Sequence, residues 1–158
     1  MLFICTGNIC RSPTVEAVAR VEFARAGLDI EVASAGTEDY HVGQPADRRA
    51  IAMAEAAGYP MSAHRARQVC GADFDRFDQL LAMDRANLRA LERSHAGAKS
   101  KLVTLFLEHA GIDPIELPDP YYGGQRDFKL ALDLARRGVT AIIERLQASS
   151  GGSPASPR

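Results

Sequence analysis

Apolar residues in this chain gather into short runs, separated by stretches where they recur every three or four positions. Leu2 to Cys5 is an unbroken apolar run, as expected of a strand covered on both faces. The spacing then predicts a helix from Pro13 to about Ala26, a strand at Ile30 to Ala33, and a helix from about Ala46 to Ala57 closed by Gly58. Phe77 to Met83 reads as a strand, Arg85 to Arg93 as a helix and Leu102 to Leu107 as a strand. A last helix, from about Asp127 to Gln147, sets Phe128, Leu132, Ala135, Val139, Ile142 and Leu146 on one side. Gly138, read as lying on its exposed side, weakens it by about 1 kcal/mol. Parallel neighbours need a crossover long enough to hold a helix, so this alternation predicts an α/β domain: a four-stranded parallel sheet with helices on both faces. Such sheets bind ligands beyond the carboxyl ends of their strands. The loop after the first strand is therefore the first candidate site.

Length and composition narrow the picture. The 158 residues suit one domain, taken here as 1–147. The closing segment Ala148 to Arg158, ASSGGSPASPR, holds only small and polar residues, Pro and one Arg, and is expected to be disordered. Nineteen Lys and Arg against 20 Asp and Glu leave a net charge of −1, so no bulk positive field exists to hold nucleic acid. The opening MLFIC has no basic stretch before it and breaks at Gly7 and Asn8, and no later apolar run approaches the roughly 20 residues of a bilayer span. Three cysteines without paired spacing argue against a disulfide framework or a structural zinc site. A reduced, cytoplasmic setting is expected, with the thiols free for chemistry.

Between Cys5 and Pro13 the chain reads CTGNICRSP. A strand end passes through a Gly/Asn turn into a helix that Ser12 would N-cap and Pro13 would begin. A loop curled onto a helix N-terminus aims several backbone N–H groups at one point, which makes an anion site suited to phosphate. Arg11 adds a planar fork that grips two phosphate oxygens. Cys5, at the base of the cup, would be held as a thiolate facing phosphorus, the arrangement for nucleophilic attack and a phosphocysteine intermediate.

This segment, with SAGT at Ser34 to Thr37 and DPYY at Asp119 to Tyr122, resembles in order and spacing the signature segments of the low-molecular-weight protein tyrosine phosphatases. The resemblance runs from Met1 to about Gln147. It implies phosphotyrosine hydrolysis, with Thr6, Gly7, Asn8, Ile9 and Cys10 wrapping the phosphate beside Cys5 and Arg11. Nothing in that loop can protonate the leaving phenolate. Asp119, restrained by Pro120, can act as general acid and then as base on the attacking water. Ser12 would also donate to the Cys5 sulfur. Tyr40, Tyr121 and Tyr122 would wall the substrate ring. The resemblance further implies that Asn8, Ser34 and His64 form a network holding the loop open, although a lone His64 also suits a surface or structural role. It implies that Cys10 captures oxidised Cys5 as a reversible disulfide, while Cys70 is structural. No metal or cofactor is expected. The expected partner is a phosphotyrosine protein, a tyrosine kinase among the candidates, met by a monomer.

Three rivals remain. An arsenate reductase of the same fold needs a further pair of cysteines, and only Cys70 is present. A protein-arginine phosphatase carries threonine where this chain has Ile9, whose apolar side chain favours an aryl ring. A catalytically dead phosphotyrosine-binding module would lack Cys5 or Asp119.

Overall fold

A computed structural model describes residues 1–95 and 103–151. Four parallel strands form one sheet in the order β2-β1-β3-β4: β1 (Leu2–Cys5), β2 (Ala33–Gly36), β3 (Leu80–Ala82) and β4 (Val103–Leu105). The helices are α1 (Arg11–Arg25), α2 (Arg48–Ala56), α3 (Gly71–Arg76), α4 (Arg85–Ser94), α5 (Phe106–Ala110) and α6 (Gln125–Ser150). β1 is apolar throughout because both of its faces are covered. Phe3 and Cys5 point into a core shared with α1, α2, α5 and α6, while Leu2 and Ile4 point into a second core with Phe77, Leu91 and Leu105. That alternation is the period of a strand, applied to two buried faces. The Phe3 and Phe106 rings meet edge to face at 5.7 Å. Among the described residues no helix is long and apolar enough to cross a membrane.

Several boundaries differ from the sequence expectations. β2 lies at Ala33–Gly36 rather than Ile30 to Ala33, because its register with β1 pairs Leu2 with Ala33 and Cys5 with Gly36. Ile30 and Val32 instead pack against the core from the approach to the strand. Phe77 closes the unforeseen helix α3, which shortens β3 at its start. Phe106 begins α5 rather than continuing β4, and Leu102 lies outside the described residues. α1 begins two residues early at Arg11, so Pro13 is the third helical residue, still within the turn whose N–H groups lack helical acceptors.

α6 starts at Gln125, where the Asp127 carboxylate accepts from the Gly124 N–H at 2.8 Å. It runs on through Ala148, Ser149 and Ser150, three residues assigned by composition to the tail. The Ser149 and Ser150 hydroxyls donate to the carbonyls of Arg145 and Leu146, so these serines support the last turn. Residues 152–158 lie outside the described residues. Gly138 is buried rather than exposed, and a Cβ there would collide with the Phe106 ring. It lets α6 approach α5 closely, so its absent side chain serves packing.

Candidate active site

β1 delivers Cys5 to the carboxyl end of the sheet, and residues 6–10 turn into α1. Asn8 takes a left-handed backbone, φ 57°, which Asn tolerates better than most residues. Its buried side chain bonds neighbours through both amide protons and its oxygen. Nδ2 donates to Ser12 Oγ at 2.8 Å and Ser34 Oγ at 2.9 Å, and Oδ1 accepts from the Arg67 N–H at 3.0 Å. The Asn8 carbonyl meets His64 Nε2 at 2.8 Å, and Ser34 donates onward to Glu16 Oε1 at 2.8 Å. The structure thus brings Asn8, Ser34 and His64 together.

Ser12 Oγ sits 3.0 Å from Cys5 Sγ. Because Asn8 Nδ2 occupies one of its lone pairs, the Ser12 proton is free to point at sulfur, the polarity a thiolate needs. Ser12 is not the N-cap of α1, however. Cys10 holds that position without a side-chain cap bond, since the helix starts before Ser12 and its hydroxyl is turned toward the sulfur.

Arg11 is buried. Nη1 donates to Asp84 Oδ2 at 2.6 Å and to the Leu117 carbonyl at 3.1 Å, and Nη2 lies 3.8 Å from Asp119 Oδ2. Burial works against its charge, but Cys5, Asp84 and Asp119 outweigh burial and hold the guanidinium protonated. Cys10 shows the opposite outcome. Burial first, then the charges of Asp47 and Cys5, push its thiol well above the ordinary range. Both cysteines of the loop are free thiols.

A cleft of about 270 Å³ opens over the loop, with Cys5, Thr6, Gly7, Ile9, Cys10 and Arg11 as floor and Tyr40, His41, Asp119, Tyr121 and Tyr122 around it. Asp119 Oδ1 accepts from the Tyr121 N–H at 3.1 Å. The Tyr121 and Tyr122 rings meet edge to face at 4.9 Å. β2 backs the loop so closely that a Cβ on Gly36 would stand 2.6 Å from the Thr6 carbonyl oxygen, which explains a glycine inside SAGT. Among the described residues no group of three or more His, Cys, Asp or Glu is placed to hold a metal ion.

The family description "Low molecular weight phosphotyrosine protein phosphatase" matches residues 1–151. The chain belongs to this family. It is 38% identical over 159 residues to a low molecular weight protein-tyrosine-phosphatase of Streptomyces coelicolor, covering 97% of this chain and 96% of that one. Its fold is similar to that of a protein tyrosine phosphatase from Entamoeba histolytica, with a TM-score of 0.86 and 35% identity over 94% of this chain and 97% of the other. It is also similar to a Drosophila arginine phosphatase, with a TM-score of 0.84 and 27% identity over 92% and 96% of the two chains.

Several residues of this phosphatase's site escaped sequence reasoning. Asp84 carries only the signal of an N-cap, which it is: Oδ1 accepts from the Asn87 N–H at 2.8 Å. Its other oxygen serves Arg11. Asn87 in turn donates from Nδ2 to Thr6 Oγ1 at 2.9 Å, so α4 and its cap steady both ends of the loop between β1 and α1. Glu16 and His41 carry no local pattern that marks them, and Arg49 reads as one charge among many.

Proposed function

We propose that this phosphatase hydrolyses phosphotyrosine in proteins through a phosphocysteine intermediate. The Arg11 fork and the N–H groups of residues 6–12 hold the phosphate, and Cys5 Sγ attacks phosphorus. As the S–P bond forms, the bond from phosphorus to the phenolic oxygen breaks, and that oxygen leaves with the electron pair and takes the Asp119 proton. Asp119, now a carboxylate, removes a proton from water as its oxygen attacks the phosphocysteine. Phosphate departs and Cys5 leaves as a thiolate that Ser12 stabilises by donating to sulfur. Arg11 and the loop amides supply the charge neutralisation that this reaction requires of the protein.

The observation that carries this reading is the meeting of the Cys5 thiol, buried Arg11 and Asp119 beside Arg11 in one tyrosine-rimmed cleft, with the Ser12 hydroxyl behind the sulfur at 3.0 Å. Ile9 lines the floor as an apolar surface for an aryl ring. Under peroxide, Cys10 is suited to condense with Cys5 sulfenic acid, forming a disulfide and releasing water. We place the enzyme in the cytoplasm as a monomer acting on phosphotyrosine proteins, tyrosine kinases among them.

Steady-state hydrolysis of phosphotyrosine, phosphoserine and phosphoarginine peptides, side by side with chelator present, tests the proposal. Phosphotyrosine should be turned over at least about tenfold faster than phosphoserine, whose short side chain cannot reach Sγ between the tyrosines, and faster than phosphoarginine, whose guanidinium suits the apolar Ile9 less than an aryl ring does. Preference for phosphoarginine would transfer the assignment to the activity named for the Drosophila neighbour.

A further inference from the structure

The phosphate loop and the Asp119 loop are distant in sequence, and Arg49, the second residue of α2, joins them in space. On one side its guanidinium grips Asp47 with two bonds, Nε to Oδ1 at 3.1 Å and Nη2 to Oδ2 at 2.9 Å. The Asp47 N–H donates to the carbonyl of Ile9, in the phosphate loop, at 2.8 Å. On the other side Nη2 donates to the Tyr121 carbonyl at 2.9 Å, and Nη1 lies 3.5 Å from the Gly123 carbonyl. The guanidinium plane is seated 4.5 Å from the Phe128 ring centre and 5.7 Å from that of Tyr121.

Tyr121 is thus held from both ends. Its carbonyl is fixed by Arg49, and its N–H supplies the bond to Asp119 Oδ1. We propose that Arg49 is a positioning residue for the general acid: by fixing Tyr121 it aims the Asp119 carboxyl over the cleft, and through Asp47 it holds that loop in register with the phosphate loop at Ile9. The proposal rests on Asp119 being the acid. An ordinary exposed ion pair with Asp47 would need only a charge. Here several N–H edges and the aromatic-facing plane of the side chain are engaged at once, which only a guanidinium provides.

The test compares wild type, Arg49→Ala, Arg49→Lys, Asp119→Asn and the double variant Arg49→Ala/Asp119→Asn on aryl phosphates, from activated nitrophenols to unactivated phenols. Inhibition by inorganic phosphate is measured alongside. Arg49→Ala keeps the α2 cap, because the Arg49 backbone N–H donates that bond to Asp47 Oδ1. It should lower kcat by about tenfold to 100-fold for unactivated phenols, part of what a general acid contributes, and by less than about threefold for activated ones. Inhibition by phosphate should shift by less than about twofold. In the Asp119→Asn background Arg49→Ala should cost less than about twofold, because its work passes through Asp119. Arg49→Lys, which keeps the charge and loses the fork, should behave like Arg49→Ala. It also carries the test if Arg49→Ala folds poorly.

A uniform loss across the leaving groups, full rescue by lysine, or additive losses in the double variant would each overturn the positioning role. If Asp119→Asn itself loses activity evenly across the series, the acid assignment fails and the Arg49 proposal falls with it. If Asp119→Asn shows the leaving-group dependence and Arg49→Ala does not, only the Arg49 proposal is lost.

Discussion

The floor of the cleft and its rim are built in opposite ways. On the floor, Asn8 and Ser12 are 0% exposed and Arg11 is 3% exposed, and every hydrogen bond that orients them comes from another buried or half-buried group. At the rim Tyr122 is 95% exposed and Tyr40 is 68% exposed, the Tyr121 and Tyr122 rings meet each other, and Arg49 lies over Tyr121. The difference fits what the proposed reaction asks of each region. Holding a nucleophile and an arginine against a phosphate dianion requires dipoles that do not reorganise, which needs a dry, fully bonded surround. Admitting a side chain from a folded protein requires aromatic surface that is open until the substrate covers it.

The contrast can be broken first at its centre. Cys5→Ser should abolish turnover while keeping oxyanion binding, because a serine hydroxyl in the same cup stays protonated and attacks poorly. Residual activity above about 1% of wild type, in assays with purified protein, would sink the covalent route.

Asn8→Ala tests whether the network or the nucleophile alone defines the floor. It removes the amide donor to the Ser12 and Ser34 hydroxyls and the acceptor of the Arg67 N–H and should lower stability by about 3 kcal/mol in denaturant unfolding, about 1 kcal/mol for each lost bond. Turnover should fall in the same variant. A stability within error of wild type would mean that water replaces the amide without cost.

The thiols offer a finer probe. Cys10 is pushed up by burial and by the charges of Asp47 and Cys5, so it becomes a thiolate only above the ordinary thiol range. Timed alkylation should leave Cys10 unlabelled at neutral pH while exposed Cys70 reacts. Labelling of Cys10 should grow only in strongly alkaline buffer. Mild peroxide inactivation should reverse with dithiothreitol in wild type and become progressively irreversible in Cys10→Ala. Equal recovery of the two would remove the protective role.

The smallest effect on the fold belongs to the rim. Tyr122→Ala should change stability by less than about 0.5 kcal/mol and raise KM for phosphotyrosine peptides by about threefold to tenfold, the range expected for one aromatic contact. A melting temperature lowered as far as in Asn8→Ala would erase the distinction between floor and rim.

Legibility in the sequence divides along a similar line. The strand-loop-helix unit at Cys5 to Pro13 could be read directly, because its apolar run, turn residues and helix start act over a few positions. Its partners could not. The Arg11 to Asp84 bond spans 73 positions, Asn87 to Thr6 spans 81 and Arg49 to Tyr121 spans 72, and no local period marks such pairs. Where local signals competed with tertiary ones, the tertiary ones won. Ser12 has the residue type of an N-cap, yet it is the second residue of α1 and serves sulfur. Ile30 to Ala33 has the composition of a strand, yet register with β1 moved the strand to Ala33–Gly36. The sequence by itself determined the parallel α/β layout and the strand-loop-helix unit that carries Cys5 and Arg11, because apolar periodicity and turn residues act on neighbouring positions. Only the tertiary structure decided which carboxylate balances Arg11, what holds Asn8, and how Arg49 links the two loops, because a hydrogen bond across the fold depends on where the sheet and its helices bring distant side chains.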